Sequence, residues 1–283
     1  MTTIVAPVSR HLTVNGLQLH HLAWGDPSAP ALIGVHGLRG NAHFYDNFAQ
    51  RFADRYHVIS LDVRGRGDSA WSPDGAYQMS DYASDLAGIV DQLGIEKFSY
   101  IGTSMGGRIG MTYAASHADR LTKFILNDIG PDSEAGSERI TQEAGKAPDS
   151  FESFDTAVDY LRATAGAAAR MSEEAVLQRA RYTFRQREDG RWVAKNDPEF
   201  LRQRSSGGTP QLGHLWKVLE TMPCPALLLW GTVSDVLSEG QARKIVQTLP
   251  NGILAPVPGV GHTPTLDEPE AVVALEQFLG GAA

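Results

Sequence analysis

An α/β architecture built on a mostly parallel sheet is what this 283-residue chain predicts, on three observations. Short apolar, β-branched runs alternate with helix-length segments at both ends of the chain, a pattern that calls for right-handed crossovers and helices on both faces of the sheet. The alternation breaks off between Pro131 and about Met222, where the sequence turns polar, arginine-rich and helical, and then resumes. A serine stands between one strand and the next helix, flanked by glycines, in Gly102-Thr103-Ser104-Met105-Gly106.

The elements follow in order. His11 to Val14 and Gln18 to Trp24 are β-rich runs joined by Asn15-Gly16, a hairpin signal. Ala31 to Val35 is a third strand, ending at His36-Gly37. Phe44 to Phe52 reads as a helix, His57 to Val63 as a strand, Met79 to Leu93 as a helix and Phe98 to Thr103 as a strand. Met105 to Ser116 is then helical and Lys123 to Asn127 extended. After the break, Pro225 to Trp230 and Gly252 to Val257 complete an eight-stranded sheet, and an amphipathic helix from Glu268 to Leu279 closes it. The expected organisation is one core domain from residues 1–130 and 223–283, with 131–222 inserted as a helical cap.

Length and composition narrow the class. The chain can bury a sizeable core without disulfides, and its one cysteine, Cys224, sits between Pro223 and Pro225 ahead of an apolar strand, a setting for a buried structural thiol. A formal charge of −8 argues against a nucleic-acid partner, which needs clustered cations. Met1 to Arg10 has no basic segment followed by an apolar core, so no signal peptide is read there, and no run approaches the ~20 apolar residues of a membrane span. A cytoplasmic protein without membrane contact is expected, with its oligomeric state unread.

Ser104 is the candidate nucleophile, because a G-x-S-x-G elbow holds serine in a strained strand-to-helix turn that larger flanking residues would obstruct. Its hydroxyl needs a base, and the base needs a carboxylate to orient it. His262, in the glycine-rich loop Gly259-Val260-Gly261-His262 between the last strand and last helix, is the candidate base; the other histidines have no comparable setting. Two aspartates compete as the acid: Asp128, ending the strand after the nucleophile helix, and Asp235, after the next core strand. Both keep the chain order Ser, Asp, His. Asp128 is slightly favoured, the other being expected to cap its loop. Backbone N–H groups of Met105, at the helix start, and Leu38, in the loop after the third strand, are the candidate oxyanion donors, with His36-Gly37 fixing that loop. The run Asp62-Val63-Arg64-Gly65-Arg66-Gly67-Asp68-Ser69 is best explained as a turn leaving the fourth strand, not as a phosphate loop or an adhesion tripeptide.

These motifs together, the elbow, His36-Gly37, Asp62-x-Arg64-Gly65-x-Gly67-x-Ser69, Asp128 and Gly261-His262, resemble the α/β-hydrolase superfamily from about residue 12 to 280 outside the insertion. The elbow and the Gly231 to Ser238 segment are similar to those of bacterial carboxylesterases, enol-lactonases and amide hydrolases of ring-opened pyridoxine catabolites; in the last group the acid sits on the strand matching Asp128. The resemblance implies a cofactor-free, metal-free serine hydrolase with a small-molecule ester or lactone substrate. It excludes haloalkane dehalogenases and epoxide hydrolases, which place aspartate where Ser104 stands. Hydrolysis of a C–C or amide bond in aromatic or heterocycle catabolism is the alternative within enzymes, and a non-catalytic ligand receptor the alternative outside them. Residues 160 to 205 carry ten Arg or Lys against six Asp or Glu, most simply a solvated face. One or two of these arginines, or Arg39 beside the oxyanion loop, could instead clamp a substrate carboxylate, and Trp230 is the other candidate substrate-binding residue. Arg108, after the second glycine of the elbow helix, is expected to pack there.

Overall fold

The computed structural model describes residues 6–132, 139–140, 142, 146–164, 171–206 and 213–280. Its strands are β1 (Val8–Val14), β2 (Leu17–Trp24), β3 (Ala31–Val35), β4 (His57–Leu61), β5 (Phe98–Thr103), β6 (Leu121–Asn127), β7 (Phe184–Gln186), β8 (Trp192–Ala194), β9 (Ala226–Gly231) and β10 (Gly252–Val257). Its helices are α1 (Asp46–Phe52), α2 (Met79–Gln92), α3 (Met105–His117), α4 (Phe154–Thr164), α5 (Glu173–Thr183), α6 (Pro198–Ser206), α7 (Leu215–Glu220), α8 (Glu239–Thr248) and α9 (Pro269–Gly280). The eight-stranded sheet has the order β1-β2-β4-β3-β5-β6-β9-β10. Only β2 opposes its neighbours, pairing antiparallel with β1 and β4; every other pair is parallel.

The central strands are apolar on both sides because each side has its own core. Ile33, Val35, Tyr100, Phe124, Leu126 and Leu228 face one cluster, completed by Leu86 and Ile89 of α2 and Ile109 of α3. Their neighbours Leu32, Ile101, Ile125, Leu227 and Leu229 face the other, with Phe48 and Phe52 of α1 and Leu275 and Phe278 of α9. This period of two is what a sheet covered by helices requires. Cys224 is buried, and burial pushes its thiol up to about 11, which suits a structural role.

The chain leaves β3 for β4 on one side and returns to β5 on the other. The loops after β3 and β5 therefore part at the carboxyl edge of the sheet, the crevice where open α/β sheets place their ligands. Leu38 and Ser104 lie on these two loops.

The chain between β6 and β9, expected to be wholly helical, also carries a β-hairpin. β7 and β8 pair antiparallel, Phe184 against Ala194, across a turn in which Gly190 takes φ +83°. Trp192 exchanges two further backbone hydrogen bonds with Phe151, of 2.7 and 2.9 Å. Strands of three residues are too short to show an alternation, so the sequence pattern did not expose them. Phe151, Val158, Leu161, Val176, Ala180 and Phe184 form a separate apolar cluster within this segment. The segment docks on the sheet's carboxyl edge: the Tyr182 ring stacks on His43 at 3.4 Å, Asn41 Nδ2 donates to the Tyr182 carbonyl, and the Arg66 guanidinium lies 3.4 Å over the Phe200 ring.

Candidate active site

β5 is buried along its whole length and delivers Ser104 to the sheet's edge on a rigid support. Ser104 takes φ 51° and ψ −116°, a conformation that side chains avoid unless their surroundings hold it. Its N–H donates to the Asn127 carbonyl at 3.1 Å, and its carbonyl accepts the Gly107 N–H at 2.9 Å as α3 begins. The turn is tight enough to need glycine: a Cβ on Gly106 would stand 2.0 Å from the Val35 oxygen, and one on Gly102 2.5 Å from the Gly106 carbonyl carbon.

His262, in the loop after β10, reaches both ways. Its Nε2 lies 2.8 Å from Ser104 Oγ and its Nδ1 2.7 Å from Asp128 Oδ2. A carboxylate only accepts, so Nδ1 carries the proton and Nε2 presents its lone pair to the serine hydroxyl. Asp128 is fully buried at the end of β6 and takes φ +56°. Its Oδ1 accepts the Gly231 N–H at 3.0 Å, and its Oδ2 also accepts the Ser234 hydroxyl at 2.6 Å.

Asp235, the competing acid, is not brought to His262. It is exposed and accepts from Arg139 Nε at 3.1 Å. Nor does it cap its loop as expected. Ser234 does so, its Oγ accepting the N–H groups of Val236 and Leu237 at 3.2 Å each. Ser234's part is not legible in the sequence beyond its position one residue before Asp235.

The loop after β3 is set by His36. Its Nε2 accepts the Val63 N–H at 3.2 Å, so Nδ1 holds the proton and donates to the Gly37 carbonyl at 2.7 Å, which also accepts the Gly40 N–H. Burial lowers the His36 pKa to about 4, the nearby Asp62 opposing, so the ring is neutral at pH 7. In a trans peptide the N–H points opposite to the C=O. With the Gly37 oxygen turned to His36 and Gly40, the Leu38 N–H faces the other way. Gly37 itself is so close to the nucleophile that a Cβ there would lie 3.3 Å from Ser104 Cβ. Met105 supplies the first N–H of α3, a position with no partner inside its helix.

Trp230 is buried in the core and its indole N–H donates to the Leu237 carbonyl at 2.9 Å. Arg108 packs as expected, its guanidinium donating to the carbonyls of Gly130 and Asp132. Among the cations of residues 160 to 205, Arg162, Arg187, Lys195 and Arg202 each pair with a carboxylate. Arg170 and the side chain of Arg204 lie outside the described residues.

A second Ser–His–Asp chain exists. Ser9 Oγ is 2.9 Å from His20 Nε2, and His20 Nδ1 is 2.7 Å from Asp62 Oδ2. It lacks what surrounds Ser104: Ser9 stands in a regular strand, paired with Leu22, with no elbow and no helix start beside it. His20, Asp62 and Asp68 could each offer one atom to a metal ion. Those atoms are engaged already, Asp62 by the N–H groups of Ala42 and Asp68 and by His20, and Asp68 by Lys195.

Comparison with known proteins gives the family. The model of the alpha/beta hydrolase fold family matches residues 30–269. A 3-hydroxybutyrate-oligomer hydrolase of Cupriavidus necator is 33% identical, over 93% of this chain and 94% of its own length. The esterase YbfF of Escherichia coli is 27% identical, over 88% of this chain and 92% of its own. An alpha/beta hydrolase from Novosphingobium aromaticivorans has a crystal structure that aligns with a TM-score of 0.86 at 33% identity, covering 98% of this chain and 99% of that one. A family match over most of the chain, with a relative of that identity at nearly full coverage, establishes that this protein belongs to the α/β-hydrolase family and is a hydrolase.

Proposed function

We propose that the protein hydrolyses a carboxylic ester or lactone through an acyl-enzyme on Ser104. The observation that carries this reading is the unbroken hydrogen-bonded path from Ser104 Oγ through both nitrogens of His262 to the buried Asp128. His262 Nε2 takes the serine proton as Oγ attacks the substrate carbonyl, and Asp128 holds the ring and offsets the imidazolium charge. The carbonyl oxygen, now an anion, is received by the N–H groups of Leu38 and Met105, the latter at the positive end of α3. His262 then protonates the leaving alcohol, activates water on the opposite course, and the acid departs. No metal or cofactor enters this sequence of steps. Residues 131–222 act as a cap over the site, a reading supported by their contacts with the loops after β3 and β4.

The test is covalent labelling together with turnover. A fluorophosphonate should label wild-type protein at Ser104 and leave Ser104→Ala unlabelled. A panel of p-nitrophenyl esters, lactones and 3-hydroxybutyrate oligomers, the last named for the 33% identical relative, should include substrates whose turnover falls by at least about 10⁴-fold in Ser104→Ala. Wild-type protein that neither labels nor cleaves any ester or lactone would refute the reading and favour a receptor.

A further inference from the structure

Arg66 lies in the turn after β4 and is wholly buried, which a turn alone does not require. The turn holds its backbone from both sides: the Arg66 N–H donates to the Val63 carbonyl and its carbonyl accepts the Ser69 N–H, each at 3.0 Å. Every polar contact described for the guanidinium is to a neutral oxygen. Nη1 donates to the carbonyls of Arg64 and Gly65 at 3.3 and 3.2 Å, and Nη2 to the Tyr82 hydroxyl at 3.4 Å. The shortest bond, from Nε at 2.9 Å, leaves the turn for the carbonyl of Leu38. A cation withdrawn from water without a carboxylate is costly, and an apolar residue would serve packing better. What the charge supplies is a strong, directed hydrogen bond to the loop after β3.

That bond acts on Leu38 from the side His36 does not reach. His36 and Gly40 hold the Gly37 carbonyl, and with it the planar peptide unit whose N–H is that of Leu38. Arg66 holds the Leu38 carbonyl, and with it the next peptide unit. Only φ and ψ of Leu38 lie between the two planes, so both are set. Without Arg66 the second plane can turn, and the Leu38 N–H is held from one side only.

The guanidinium is steadied in turn by the segment between β6 and β9. Phe200 of α6, itself buried, presents the centre of its ring 3.4 Å from the guanidinium carbon, a cation–π contact closed to water. Tyr77 packs edge-on against the same ring with centres 5.6 Å apart, and its hydroxyl donates to Asp197. The chain is fastened to this turn on both sides of Phe200. Before it, the Asp197 N–H donates to the Gly65 carbonyl at 2.9 Å and Asn196 forms a backbone bridge with Arg66; after it, Gln203 Nε2 donates to the Gly75 carbonyl at 3.0 Å.

We propose that Arg66 is a positioning residue for the oxyanion donor Leu38, and that Phe200 keeps it in place, so that docking of the segment between β6 and β9 aligns the oxyanion loop. The proposal rests on the hydrolase reading of Ser104 with Leu38 as a donor, and adds what aims that donor. A misdirected N–H weakens its hold on the anion formed in the transition state far more than on a neutral substrate carbonyl, so the effect belongs in kcat and not in KM.

The experiment measures kcat and KM for p-nitrophenyl butyrate and the Ki of trifluoromethyl pentyl ketone, with the active sites of each preparation counted by fluorophosphonate labelling run to completion. Ser104 Oγ adds to the carbonyl carbon of this ketone and His262 takes the hydroxyl proton, leaving an anionic oxygen where the ester's transition state has one. Arg66→Met should lower kcat per labelled site by about tenfold or more, raise Ki by a similar factor and leave KM within about threefold. Arg66→Gln, which keeps a donor but no charge, should fall between that variant and wild type, and it reads the same effect should Arg66→Met not fold. Phe200→Leu, which keeps apolar bulk but removes the ring face, should lower kcat and raise Ki by about threefold or more. A merely structural defect reduces the number of labelled sites and leaves the Ki of the remaining ones unmoved. Values of kcat per labelled site and Ki within about twofold of wild type in the Arg66 variants, or a loss confined to KM, would overturn the proposal; unmoved values in Phe200→Leu would overturn the part assigned to Phe200. Wild-type protein that is neither labelled nor inhibited refutes the hydrolase reading, whereas labelled and inhibited wild-type protein matched by its Arg66 variants refutes only the positioning.

Discussion

Asp128 and Asp235 look alike in sequence, since each follows a core strand and each precedes His262 in the chain. What separates them is burial and a hydroxyl. Asp128 is fully buried with its oxygens engaged by Gly231, Ser234 and His262, whereas Asp235 lies in solvent beside Arg139. Asp128→Asn should therefore lower kcat by roughly 10³–10⁴-fold, while Asp235→Asn should keep most of the activity; the reverse pattern in steady-state kinetics would reassign the acid. Ser234→Ala removes one donor to Asp128 and the acceptor for two loop N–H groups, and kcat should drop about tenfold. Unchanged turnover in that variant would show the hydroxyl to be dispensable. Ser104 and His262 could be found by reading because glycines around them announce a special backbone. The choice of acid could not, because it depends on which side chain the β9 loop turns inward, and Ser234 holds that inward place. Trp230 shows a related effect: an indole at a strand end looks available in sequence, but the chain curls back and Leu237 takes its N–H.

At the scale of elements, the strand-to-helix turn depends on close backbone approach. Gly106→Ala would push a methyl to 2.0 Å from the Val35 oxygen, which only movement of α3 or β3 can relieve. We expect a loss of about 3 kcal/mol or more in urea unfolding, together with weakened fluorophosphonate labelling, because the same shift displaces both Ser104 and the loop carrying Leu38. A stable, fully labelled Gly106→Ala protein would contradict this account. The core strands and helices were legible because their apolar runs are long and punctuated by glycine and asparagine. The β7–β8 hairpin was not. Its three-residue strands leave no period to detect, and Phe151, the residue that extends the pairing, is 33 positions before Phe184.

For the molecule as a whole, buried histidines couple folding to pH. Burial lowers both His21 and His36 to about 4 from an ordinary value of 6.5. Between those limits the unfolded chain binds protons on both rings that the folded protein excludes, so stability is full above pH 6.5 and declines as pH falls toward 4. Each ring contributes a slope of at most about 1.4 kcal/mol per pH unit. Urea titrations at pH 7.5, 6.5, 5.5 and 5.0 should show little change over the first interval and a steady decline thereafter; a flat profile to pH 5.0 would mean that these rings accept protons without unfolding. The loop from His36 to His43 also has a consequence for engineering. One end of it faces the nucleophile and the other end grips α4 and α5, Arg39 holding the end of α4 and Asn41 and His43 holding α5. Anyone grafting the corresponding segment between β6 and β9 of another family member onto this scaffold must transplant those eight residues with it, or the foreign segment will have nothing to hold and the loop beneath it will lose its alignment.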